Sequence, residues 1–130
     1  MRVLIVEHNA DLGRLWARFL ARRGVEVEVA TSQVDAIKLL RFHDYDALVL
    51  QLVLPDGGAI AISDYATYRN PGVPIITVTN SAFFSDGSIF ELIPNARTML
   101  NTPVRPDDLA ALIEHFGRPR DEPVLNQKLA

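Results

Sequence analysis

Five short apolar runs, each followed by a stretch with helical spacing, leave this chain few ways to fold. Val3-Leu4-Ile5-Val6 is continuous and mostly β-branched, which suits a strand covered on both faces. After Glu7-His8-Asn9, the residues Leu12, Leu15, Trp16, Phe19 and Leu20 recur at helical spacing. Arg14, Arg18 and Arg22 line the opposite, solvated face, and Gly24 stops the helix. Val25 to Val29 alternates apolar and acidic residues, as a half-exposed edge strand does. Ser32 with Asp35 reads as a capping box that opens a second helix, with Val34, Ile37 and Leu40 turned inward.

The second half repeats the pattern. Ala47-Leu48-Val49-Leu50 is a fully apolar strand, closed by Gln51 and by the turn signal Leu54-Pro55-Asp56-Gly57-Gly58. Residues 59–69 suit a third helix, ended by Asn70-Pro71-Gly72, and Pro74 to Val78 is a fourth strand. Residues 85–93 suit a short fourth helix with Ile89, Leu92 and Ile93 on its core face, ended by Pro94. Thr98-Met99-Leu100 is a fifth strand. Pro106-Asp107-Asp108 opens a last helix, with Leu109, Leu112, Ile113 and Phe116 as its buried stripe and Gly117 as its cap. The expected fold is therefore α/β: a doubly wound, five-stranded parallel sheet of order 2-1-3-4-5 with five helices.

The 130 residues suffice for one domain with one core, expected over residues 1–117. Residues 118–130 hold two prolines and no periodicity, so a flexible tail is expected there. The chain has no cysteine, which excludes thiolate metal sites and cysteine nucleophiles. A formal charge of -3, with no basic run, gives no footprint for nucleic acid or an anionic membrane. No apolar stretch approaches the length of a bilayer span, so a cytoplasmic protein is expected.

In doubly wound sheets ligands bind outside the carboxyl ends of the strands, near the switch between strands one and three. Those ends offer Glu7, His8 and Asn9, then Gln51, then Thr79 and Asn80, then Asn101 and Thr102 before Pro103. Here the chain resembles the bacterial receiver (CheY-like) domain of two-component response regulators, from residue 1 to about 117. The resemblance is carried by Leu4-Ile5-Val6-Glu7-His8-Asn9, Asp46-Ala47-Leu48-Val49-Leu50-Gln51 with Pro55 four residues on, Pro74-Ile75-Ile76-Thr77-Val78-Thr79, and Leu100-Asn101-Thr102-Pro103-Val104.

The resemblance implies a degenerate phosphorylation site. In the family an acidic pair after strand one holds Mg²⁺, and an aspartate ending strand three accepts the phosphoryl group. A hydroxyl after strand four and a lysine after strand five contact that group. This chain keeps Glu7 and Thr79, but has His8 for the second acid, Gln51 for the acceptor, Thr102 for the lysine and Met99 at the aromatic switch position. A cis Thr102-Pro103 bond is implied as well.

A neutral carboxamide is a far poorer nucleophile than a carboxylate, and one carboxylate is a thin shell for magnesium. Neither a metal nor a cofactor is therefore expected, and no enzymatic activity. Glu7 with His8 reads as a polar cluster in preference to a metal site or a general base.

The expected function is that of a pseudo-receiver, a signalling module acting by phosphorylation-independent protein–protein interaction. Its partner would be an output protein, a kinase or a second copy, since no output domain is read in the chain itself. The alternatives are a phosphorelay receiver using Asp56 or His8 as acceptor, and a small-ligand sensor at the former phosphate site. Phe83, Phe84 and Phe90 exceed what a short fourth helix needs for its core. They are candidates for a partner or homodimer surface on the helix 4–strand 5–helix 5 face, which the family commonly uses, or for rings folded back over the core.

Overall fold

The structure is a computed structural model and describes residues 1–80 and 88–117. Its elements alternate as β1 (Arg2–Val6), α1 (Ala10–Ala21), β2 (Glu26–Ala30), α2 (Gln33–Phe42), β3 (Ala47–Gln51), α3 (Ala59–Arg69), β4 (Ile75–Thr79), α4 (Ile89–Leu92), β5 (Ala96–Asn101) and α5 (Pro106–Phe116). All four strand pairings are parallel, and the order is β2-β1-β3-β4-β5, as the pattern of runs implies.

The central strands are apolar throughout because both of their faces are covered. Leu4, Val6, Leu48, Leu50 and Ile75 point into a cluster with Ala36, Leu40, Ile62 and Ile89 from α2, α3 and α4. Val3, Ile5, Ala47, Val49, Ile76 and Val78 point the other way, onto Trp16, Leu20, Leu109 and Ile113 of α1 and α5. The helix starts follow their capping residues. Asn9 accepts a bond from the Leu12 amide and Ser32 one from the Asp35 amide, while Pro106 lies in the first turn of α5. Gly24 takes a positive φ of 84° just after α1, the conformation that lets a helix stop abruptly.

Three expected core residues lie outside. Val34 is 72% exposed, and α2 buries Ala36 and Leu40 instead. Residues 34, 37 and 40 advance three at a time, and at 3.6 residues per turn this leaves the first and last about 120° apart. Leu15 is half exposed because α1 leans toward its glycine side. A Cβ added at Gly13 would lie 2.8 Å from Val29 Cγ1, so the helix rests on β2 at Gly13 and turns Leu15 away. Leu92 is exposed because α4 is a single turn. Ile93 is buried from the C-cap position, just past the helix, rather than from the helix face.

Strand ends differ from expectation by one or two residues: β2 runs one residue later, β3 takes in Gln51, and β5 begins at Ala96. Of the expected fourth helix, residues 85–87 lie outside the described residues, as do Phe83, Phe84 and the 118–130 tail. No helix among the described residues is long and apolar enough to cross a membrane.

Candidate functional site

The parallel register brings the strand ends together at one edge of the sheet. Val6 pairs with Leu50, so Glu7 and Gln51 are the next positions along β1 and β3. Gln51 pairs with Val78 and Thr79 with Asn101, which places Thr79 and Thr102 alongside. The backbone closes the edge through a Thr102 amide that donates to the Thr79 carbonyl at 3.0 Å. The Thr102–Pro103 peptide is cis.

Glu7 is buried, and its backbone amide donates to the Ala30 carbonyl at 3.0 Å, so the ladder with β2 extends past the end of β1. Its Oε2 accepts from the Asn9 amide at 2.9 Å and lies 3.2 Å from His8 Nδ1. His8 itself is exposed, so Glu7 anchors the β1–α1 loop from inside while the imidazole faces water. Asn9 in turn caps α1, which ties the buried carboxylate to the start of the helix.

Gln51 is only 4% exposed, and its Oε1 has no hydrogen-bond partner in the structure. Burying an amide oxygen without a partner costs roughly 1–3 kcal/mol; among the described residues Asp46 Oδ1 and Ser63 Oγ are also buried without one. Thr79 is fully buried. Met99 is half-buried and packs on the core cluster below α4. Phe90 and its neighbour Leu92 are exposed on α4.

Asp56 is held elsewhere. Its Oδ2 accepts from the Gln33 amide at 3.0 Å, capping the start of α2 with a charge that suits a helix N-terminus. A Cβ added at Gly58 would collide with the Gln33 side chain, so the β3–α3 loop is pressed onto that same helix end. Sequence reasoning missed this latch. The Asp-Gly-Gly string reads only as a turn, and its partner lies 23 residues away. Among the described residues no group of three or more His, Asp or Glu side chains comes together as metal ligands.

Comparison with known proteins agrees with the topology. The response regulator receiver domain family matches residues 3–114. Transcription factor SKN7 of Saccharomyces cerevisiae is 30% identical over 98% of this chain, which spans 20% of that protein. Protein Rrf1 of Nitratidesulfovibrio vulgaris is 27% identical over 87% of this chain and 80% of its own length. The chain spans between about a fifth and a third of the first curated relatives it matches.

Among solved structures, a CheY-like receiver domain protein from Methanospirillum hungatei superposes with a TM-score of 0.79 at 26% identity. That match covers 88% of this chain and 90% of the other. The HemR receiver domain of Leptospira biflexa gives 0.75 at 26% identity over 92% and 98%. With its strand order, its polar strand ends and a family match that runs from residue 3 in β1 to residue 114 in α5, the chain belongs to the response regulator receiver domains of two-component signalling.

Proposed function

We propose that this receiver domain signals without being phosphorylated, as a pseudo-receiver that works by binding protein. The reading rests on Gln51: a neutral, buried carboxamide ends β3, where the resemblance puts the phosphoryl acceptor. A carboxamide oxygen is a weak nucleophile toward phosphorus. The residues present also do not fit a magnesium ion. Mg²⁺ asks for several hard oxygens in octahedral array, and the strand ends offer one carboxylate, whose Oε2 is already engaged by Asn9 and His8. Thr102 brings no positive charge to steady a transferring phosphoryl group. Asp56, the alternative acceptor, is engaged as the cap of α2. His8 has the buried Glu7 carboxylate 3.2 Å away, a negative charge that opposes an incoming phosphoryl group.

The test is incubation with acetyl phosphate and Mg²⁺, followed by intact-mass spectrometry. The expected result is the unmodified mass alone. A stoichiometric adduct, lost in mild base, would overturn the reading.

In the same proposal the α4–β5–α5 face carries self-association, with Phe90 as its described anchor. The exposed ring supports this. Phe90→Ser is expected to shift a concentration-dependent sizing profile toward monomer, with stability changed by less than about 0.5 kcal/mol. An unchanged profile beside a lowered melting temperature would make the ring part of the core.

A further inference from the structure

We propose that the outward face of α2 is a docking groove for an acidic amphipathic helix of a partner protein. The inference rests on the reading of the chain as an interaction module, and it names a surface and a partner chemistry for that module. Helix α2 carries apolar residues on every side, with Gln33, Asp35, Lys38 and Arg41 set between them. Its inner face is used: Ala36 and Leu40 are buried, and Ile37 and Leu39 pack against the core. Its outer face carries Val34, which is 72% exposed, and Phe42, which is 68% exposed.

Residues 34, 38 and 42 follow one another at i, i+4 and i+8, so Lys38 sits between the two apolar groups on one stripe. With Gln33, Ile37 and Arg41 they line a groove of about 530 Å³. Val34 and Phe42 lie about 12 Å apart along the axis at 1.5 Å per residue, close to the roughly 10.5 Å between i and i+7 anchors on a facing helix.

The charges choose the partner. Lys38 and Arg41 form no ion pair among the described residues, as Arg18, Arg22, Arg97 and Arg105 do not, and they are the two cations that line the groove. An apolar helix without acids would cover Val34 and Phe42 at the cost of desolvating two uncompensated cations. A helix that carries Glu or Asp beside its apolar anchors covers both and pairs both. The groove therefore selects acidic partners and rejects basic ones.

The test uses the full chain and a fluorescent designed peptide of about 18 residues, long enough to hold a helix, with leucines at i, i+4 and i+7 flanked by glutamates. Its twin has lysines in place of the glutamates. By anisotropy the acidic peptide is expected to bind about tenfold or more tightly than the basic one, and Lys38→Glu/Arg41→Glu to reverse that preference. Phe42→Ala is expected to weaken the acidic peptide about tenfold, with the melting temperature unchanged. Equal binding of the two peptides, or a preference that survives the double substitution, overturns the proposal. So does displacement of the probe by a peptide of residues 118–130, which would give the groove to the chain itself. Self-association lost in Phe42→Ala would give it to a second copy and overturn it too. Phosphorylation by acetyl phosphate with peptide binding intact would sink the pseudo-receiver reading alone, and the groove would stand.

Discussion

Gln51→Asp, which puts a carboxyl where the resemblance places the family's acceptor, is expected to lower stability at neutral pH by about 3 kcal/mol and to leave the protein unphosphorylated. The position is almost closed to water, and the register sets it beside the buried carboxylate of Glu7. Burial and a like charge both disfavour ionisation, so the new carboxyl's pKa in the folded state rises above its unfolded value of about 3.9. A rise of about 2 units corresponds to the stated loss, at about 1.4 kcal/mol per unit.

The sign follows from proton binding. Between the two pKa values the folded state holds more protons than the unfolded one, so stability relative to wild type falls as pH rises through that window. Below about pH 4 the carboxyl is neutral in both states and this ionisation penalty vanishes. Urea melts of both proteins at several pH values between 4 and 8 measure it. In a working receiver, a lysine and Mg²⁺ would relieve this charge. By the resemblance Thr102 takes the lysine's place and His8 that of one metal-holding acid, so millimolar Mg²⁺ is not expected to restore the loss. A variant that gains stability with Mg²⁺ and takes up phosphate from acetyl phosphate would show that a functional site survives apart from its nucleophile.

The sheet was legible in the sequence because its central strands are buried on both faces. A run such as Ala47–Leu50 with no polar residue has few other uses at that length. The strand order followed from right-handed crossovers. The strand ends were legible to within a residue: β1 ends where its apolar run ends, while β3 and β4 each run one residue further, to Gln51 and Thr79.

What the site does with its hydrogen bonds was not legible. Glu7 bonding back to Asn9, Asp56 crossing to Gln33, and a Gln51 oxygen left without a partner depend on loop geometry that spacing does not encode. Helix faces were misread where small residues did the packing. Gly13 and Ala36 let α1 and α2 approach the sheet closely, and the larger neighbours that dominate a hydrophobic pattern, Leu15 and Val34, were turned outward as a result. The overturned placement of Val34 is also what exposes the groove on α2.

Trp16→Ala and Leu15→Ala separate a buried position from an exposed one on adjacent residues of α1. Both side chains belong to the same apolar pattern, but Trp16 is 1% exposed and Leu15 is 50% exposed. Trp16 sits at the centre of the cluster that joins β1, β3 and β4 to α1 and α5. Removing its ring leaves a cavity bounded by the sheet and two helices, none of which can collapse without breaking other contacts. The expected cost is about 3–5 kcal/mol. At about 3–5 °C per kcal/mol for a domain of this size, the melting temperature should fall by roughly 10–25 °C. Marginal stability means that such a loss can unfold the variant at 37 °C.

Leu15→Ala, by contrast, removes a side chain that water already reaches, and alanine is the better helix former, so the change should stay within about 0.5 kcal/mol. Thermal unfolding followed by circular dichroism on both variants decides the matter. Equal losses at the two positions would mean that α1 sits on the sheet in a different rotation, with Gly13 no longer against Val29. In that case the Asn9 cap, and with it the Glu7 loop that frames Gln51, would have to move as well.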